Sequence, residues 1–379
     1  MRYLSLFLVL LLALQLPAPA SAQSPESAAR PVYRNLVMEG GGIRGIAYGG
    51  ALQELENQGV LAGIQRVGGT SAGAIQAALL AVGYSPQEII DVVNQTPVQR
   101  LNDGRGLFFG GSTRLIRQYG WYRGDQLTRY LTELVARKTQ RPNLTLAELH
   151  ALAQQEPARY RDLYTTGTNL TRQCRQTFSY ETHPDMRVAD AVRISMSIPL
   201  YFRAVLLDTA GHVVQHPAKD QPVEVVVDGG LLANYPLDLF DHPRYRPGAL
   251  AGLLTVTSSV VTKNVVTATD VTTFINPETL GLRLDRAEQV AYDTRPGGRQ
   301  QLAPYAVQDF RSYIGALYTV AIENLNAPRP EDWPRTISID TRGFNPKIKR
   351  LSTPQKQELM DSGRQGVQAF FDRAGAVRR

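Results

Sequence analysis

The chain is poor in the residues that usually announce a mechanism. Among 379 residues it has one cysteine, Cys174, and five histidines, none of them beyond His242. A single cysteine excludes an internal disulfide and a cysteine-rich metal centre, so the core must stabilise the fold. Cys174 lies in the alternating run RQCRQTFSY and reads as a half-buried strand residue without a chemical role. The histidine shortage matters more. An ordinary α/β-hydrolase carries its catalytic histidine on a loop after a late strand, and the last third of this chain has none. His150, His183, His212, His216 and His242 occupy polar, proline-bearing or hairpin-like stretches and read as exposed loop residues.

Long apolar runs are equally scarce. The one candidate, Tyr3 to Leu16, falls short of the roughly 20 residues that a bilayer span requires and is broken by Gln15 and Pro17. With Arg2 before it and Ala20-Ser21-Ala22 after it, it has the form of a secretory signal over residues 1–22, cleaved after Ala22. A polar leader over 23–31 would follow, and the product would be secreted or periplasmic. No internal repeat, low-complexity tract or Gly/Ser-rich linker divides the remainder, so one domain over 32–375 is expected. The sequons at Asn94, Asn143 and Asn169 are weak signals.

Charge is unevenly placed. The formal net charge is +7, and between Arg100 and Arg141 nine basic residues stand against three acidic ones. Interleaved with GLFFGG and QYGWY, this stretch is either a solvated arginine-rich face or a contact for an anionic membrane surface. Nucleic acid is not an expected partner for an exported protein.

The run VYRNLVM reads as a buried strand, IAYGGALQELENQG as a helix stopped by Gly59, and GIQRV as a second strand. Strand, helix, strand in this span is a βαβ unit that starts a parallel sheet. Helical patterns follow at Ala72 to Val82, Pro86 to Gln95, Asp125 to Lys138 and Thr145 to Gln155, and strand-like runs at DLYTTGTNL, QTFSYE, VEVVV and LAGLLTV. Beyond Asn276 the pattern is mainly helical, with one strand-like run at RTISID and a closing helix from Pro354.

Chemistry concentrates in three glycine motifs. GGTSAG sets Ser71 between Gly69 and Gly73 at the join of a strand and an alanine-rich helix. A serine displayed on such a sharp turn is positioned as a nucleophile. MEGGGIRG satisfies the dinucleotide fingerprint through Gly40, Gly42 and Gly45, but the second strand lacks the carboxylate that would hold a ribose. Read otherwise, the loop Gly40 to Gly45 frees amides at a helix mouth, where a developing oxyanion would be stabilised. VEVVVDGGLLANYP places Asp228 at the end of a near-continuous β-branched run. A carboxylate there is costly unless paired, and accepting the Ser71 proton would give it both a partner and a purpose. A triad through His242 and a non-catalytic binding module remain as alternatives.

Together GGGIRG, GTSAG, DGGLLANYP and the intermediate ADAVRISMSIPLYF resemble the patatin-like phospholipase family. The resemblance covers Tyr33 to about Asn94 and Leu163 to about Leu239, and more loosely the C-terminal helix; the basic insertion from Arg100 to Arg161 matches nothing familiar. It implies a three-layer α/β/α sandwich with a mostly parallel sheet. It also implies a Ser71–Asp228 dyad at the sheet's carboxyl edge, with oxyanion donors in Gly40, Gly41, Gly42 and Gly45 and Arg44 beside them. The expected activity is hydrolysis of lipid acyl esters with no cofactor and no metal.

Overall fold

The computed structural model describes residues 31–376 apart from 97–100, 105–108, 247–254, 263–264, 273, 296–301, 311, 314–315, 317–328 and 347–349. The expected signal segment, most of the leader, Arg100 and Arg105 therefore lie outside the described residues. Among the described residues no helix is long and apolar enough to cross a membrane.

Strand β1 (Asn35–Met38) is buried along its whole length, as a parallel strand covered on both faces should be. A 3-10 turn, Gly42–Ile46, leads into α1 (Ala47–Asn57), and the chain returns as β2 (Arg66–Gly69), parallel to β1 from Asn35↔Arg66 to Met38↔Gly69. This is the expected βαβ unit. Ser71 then starts α2 (Ala72–Ala81), and α3 (Pro86–Gln95) opens with a Ser85–Glu88 capping box. The middle segment forms α4 (Phe109–Gln118), a short β3 (Gly120–Tyr122), α5 (Asp125–Thr139) and α6 (Leu146–Gln155).

Strand β4 (Asp162–Asn169) decides the architecture. Its first half runs parallel to β2, ending at Gly69↔Thr165, and its last residues extend past the end of β2. Strand β5 (Cys174–Phe178) turns back antiparallel along β4. After α7 (Val188–Ser195), β6 (Leu200–Phe202) pairs with β3 in a separate ribbon, while β7 (Val205–Leu207), β8 (Val213–Val214) and β9 (Glu224–Asp228) rejoin the main sheet. Thr165 is paired to both Gly69 and Phe178, and Gly167 to both Gln176 and Asp228. A residue has only two sheet edges, so β5 occupies one edge of β4, and β2 and β9 share the other. They meet there end to end, β2 parallel and β9 antiparallel to β4. The sheet is therefore mixed rather than mostly parallel: β9, β7 and β8 are joined to it by antiparallel pairs.

Among the described residues the later part of the chain adds strands that the sequence pattern does not announce. Strands β10 (Thr255–Thr262) and β11 (Val265–Thr272) form a hairpin, with part of the LAGLLTV run outside the described residues. Residues Thr279–Asp285 form β12, fully buried and parallel to β1. After α8 (Ala287–Asp293), β13 (Thr336–Asp340) extends the sheet beside β12, and α9 (Thr353–Ala376) closes the chain. Arg283 disguises β12 in the sequence. It is buried between Asp285, at 2.8 Å, and Asp293, so a charge in mid-strand is paired rather than exposed.

The two faces of the sheet are covered differently. Leu36 and Met38 of β1 point into the large core shared with α1, α2, α7 and α9. Val37 points to the other side, where Tyr164, Tyr235, Leu237, Phe240 and Tyr245 form a smaller cluster. Helices α1 and α9 approach closely because Gly50 and Gly363 have no side chains; a Cβ on either would overlap the facing backbone at Met360 or Ala47.

Candidate active site

Ser71 follows β2 with φ 53° and ψ −119°, a conformation that L-residues rarely adopt and that the surroundings must hold. The flanking glycines allow it. A Cβ on Gly73 would strike the carbonyl of Met38, and one on Gly69 would strike the backbone of Gly73. The tight turn lifts the buried Ser71 to the end of β2, where β9 arrives from the opposite direction with Asp228 at its tip. Ser71 and Asp228 thus meet because two strand ends converge on β4, two residues apart at Thr165 and Gly167.

Asp228 is buried, and its carboxylate accepts the Gly230 amide at 2.7 Å. Burial pushes its pKa up to about 7, against the lowering effects of the Gly230 amide and of the nearby Ser71 hydroxyl. The same hydroxyl also lies 3.6 Å from Sδ of Met196.

The glycine loop lies directly against this pair, since a Cβ on Gly40 would come within 3.3 Å of Ser71 Cβ. Gly40 itself drops out as an oxyanion donor, because its amide already donates to the Asn234 carbonyl at 2.9 Å. The amides of Gly41 and Gly42 have no partner among the described residues. Gly42 has φ +55°, and a side chain there would overlap the Pro346 carbonyl. The amide and Nε of Arg44 both donate to the Gly41 carbonyl, at 3.1 and 3.3 Å, so this arginine shapes the loop from behind. Gly45 lets the loop reach α2, where a Cβ would come within 2.8 Å of Ala72 Cβ.

A profile of the patatin-like phospholipase family matches residues 36–241, more than half of the chain and every residue of the site. The chain belongs to the patatin-like phospholipase family. Protein YqhO of Bacillus subtilis is 35% identical over 223 residues, covering 57% of this chain and 69% of that protein. "Probable lipid hydrolase 463L" of invertebrate iridescent virus 6 is 26% identical over 208 residues, 55% of this chain and 63% of its own length. Among solved structures, VipD from Legionella pneumophila superposes with a TM-score of 0.56 over 91% of this chain and 67% of its own, at 15% identity, a likeness of fold.

The patatin-like site rests on residues that sequence reasoning passed over. The end of α7 and the turn after it touch both Ser71 and Asp228: Ser195 Oγ accepts the Ser71 amide at 2.9 Å, and the Ser197 carbonyl accepts the Asp228 amide at 3.0 Å. Arg193, buried and held below its usual pKa by that burial, at about 10, donates to Ser197 Oγ and to the carbonyls of Arg123, Gly124 and Arg203. On the other side, Asn234 ties the Asp228 turn to the glycine loop, giving Nδ2 to Glu39 Oε1 at 3.0 Å and to the Gly40 carbonyl at 3.2 Å. Glu39 also accepts the Leu284 amide, and burial with Asp285 nearby raises its pKa to about 8 against the pull of Arg44. Thr70 bridges to Thr166 and to the Ala233 carbonyl, each at 2.6 Å. Ser195, Ser197 and Asn234 all fall within the quoted motifs, but their partners are visible only once the strands have met.

The histidines and Cys174 take other places. Among the described residues none of the histidines contacts Ser71 or Asp228. His150 is not an exposed loop residue: it sits on α6, stacks on Tyr180 at 3.7 Å and pairs its Nδ1 with Asp162 at 2.8 Å. His183 is half-buried against Phe178, whereas His242 caps an exposed turn. Cys174 is exposed at the start of β5 rather than half-buried, and Asn169, the head of one of the weak sequons, is buried and bonded to Gln176 and Glu224. No three His, Cys, Asp or Glu side chains among the described residues gather as metal ligands.

Proposed function

We propose that this protein hydrolyses acyl esters of lipids with Ser71 as nucleophile and Asp228 as its base. The observation that carries this reading is the convergence of a strained, glycine-flanked serine and a buried carboxylate of raised proton affinity at two facing strand ends. Asp228 accepts the Ser71 proton as Oγ adds to the ester carbonyl, and the oxyanion is met by the Gly41 and Gly42 amides. The alcohol leaves with the proton returned from Asp228, giving an acyl-enzyme. Water, deprotonated by the same carboxylate, then releases the acid. An ordinary aspartate, with a pKa of about 3.9, would be a weak base for this task; burial is what makes the dyad workable without histidine.

The substrate we propose is a phospholipid- or glyceride-type ester, and the enzyme an exported one, secreted or periplasmic, with the basic segment between Arg100 and Arg141 turned to an anionic membrane surface. Turnover of a soluble short-chain ester and of mixed phospholipids by the wild type, Ser71→Ala and Asp228→Ala proteins tests the assignment. Both variants should lose at least about 1000-fold in kcat with an unchanged circular dichroism spectrum. Wild-type turnover in either would refute it.

A further inference from the structure

Away from the dyad, the ribbon of β3 and β6 displays an apolar group that the fold does not need. Ile116, Tyr119, Trp121 and Leu200 are 78%, 52%, 41% and 67% exposed. Gly120 is the register partner of Leu200, so Leu200 lies across the glycine that separates Tyr119 from Trp121, and Ile116 stands one turn back on α4. Tyr119 and Leu200 have φ of 61° and 65°, the left-handed region that such residues avoid. Strain that holds apolar side chains in water stabilises nothing in the isolated chain. Arg114 nonetheless fixes the ribbon, donating Nε and Nη2 to the Trp121 carbonyl at 3.1 and 2.9 Å.

Arginines lie close to this group. A cavity of about 320 Å³ opens beside it, lined in part by Tyr119, Arg117, Arg193 and Arg203 and by Asp125 and Asp190. Arg203 is paired with Asp125, and Arg117 is exposed and makes no ion pair among the described residues. The segment that carries most of the ribbon holds six of the seven excess positive charges. Leu200 is only four residues beyond Met196, the residue against which the Ser71 hydroxyl rests.

We propose that this ribbon docks the protein on an anionic phospholipid bilayer, with Tyr119, Trp121 and Leu200 entering the boundary between headgroups and acyl chains and Arg117 meeting lipid phosphates. The proposal rests on the lipid hydrolase reading and adds the face through which the bilayer is met. Aromatic rings next to arginines suit that boundary, where one end of the side chain is apolar and the other wet. A second copy of the chain does not suit it, because two such cationic faces repel.

Trp121 and Trp333 are the only tryptophans, so a Trp333→Phe protein reports on Trp121 alone. In a Ser71→Ala background, which leaves the lipid intact, its emission should shift to the blue on vesicles containing phosphatidylglycerol, with binding weakened by salt. Tyr119→Asn together with Leu200→Asn should lower vesicle affinity tenfold or more, while soluble-ester turnover in the Ser71 protein is unchanged and Tm is equal or higher, since asparagine tolerates left-handed backbone. Arg117→Gln should cost about fivefold on anionic vesicles and nothing on phosphatidylcholine. A structural role for the ribbon would show instead as a lower Tm with unchanged vesicle affinity. That result, or bound vesicles without a blue shift, overturns the proposal. Docking without ester hydrolysis by the Ser71 protein would leave the ribbon's role standing and sink the hydrolase reading; hydrolysis without docking would do the reverse.

Discussion

The two halves of the sheet make different contributions to one site. The parallel half, β13-β12-β1-β2, is built from buried strands and returning helices, and it delivers the Ser71 turn and the glycine loop together at one set of strand ends. In the antiparallel half, β9-β7-β8, strand β9 runs the other way and brings a single carboxylate to the same place. Convergence from opposite directions leaves Asp228 dry and without a cationic partner, which raises its pKa to about 7. Ser71 and Asp228 are thus supplied by independent pieces of sheet, and their relation depends on the few residues that cross between them.

The parallel half can be tested alone. Gly42→Ala places a side chain against the Pro346 carbonyl at a positive φ and displaces one of the two free amides; kcat should fall roughly 100- to 1000-fold, as when one oxyanion donor is lost, with Asp228 unaltered. The link between halves is the next target. Asn234→Ala removes the contacts to Glu39 and Gly40 and should lower kcat by about 10- to 100-fold with KM nearly unchanged, because it moves donors that act in the transition state. An effect confined to KM would place Asn234 at the substrate instead.

The smallest effect concerns stability in the antiparallel half. Asp228 has a folded pKa above its unfolded value, so the native state holds the proton more tightly. Its ionisation therefore costs stability as pH rises from the unfolded value of 3.8 towards about 7. Asp228→Asn should raise Tm at pH 8 by about 2 °C or more while leaving Tm at pH 4 nearly unchanged. A lower Tm at pH 8 would mean that the carboxylate is a structural ion and not a strained base.

The same contrast explains what could be read from the sequence. Strands β1 and β2 with α1 were legible because buried parallel strands and amphipathic helices have strong periodic signatures, and the Ser71 and Asp228 turns because glycine marks close backbone approach. The direction of β9 was not legible: VEVVV has the same pattern whichever way it runs, and only the overhang of β4 past β2 creates the edge it takes. β12 was hidden by Arg283, whose partner Asp293 lies on the following helix. His150 was misread because Tyr180 and Asp162 come from separate elements. The glycine loop lies beside Ser71 as the sequence suggests, but the commitment of the Gly40 amide to Asn234 is a tertiary contact with no local signal.

The pH dependence of fluorophosphonate labelling, in the wild type and in Asp228→Asn, bears most directly on the pairing of nucleophile and base. Labelling should fall on Ser71, with a rate that rises through an apparent pKa of about 7, and the variant should label at least about 1000-fold more slowly with that inflection gone. Labelling of Asp228→Asn at the wild-type rate, or a label on another residue, would contradict the account.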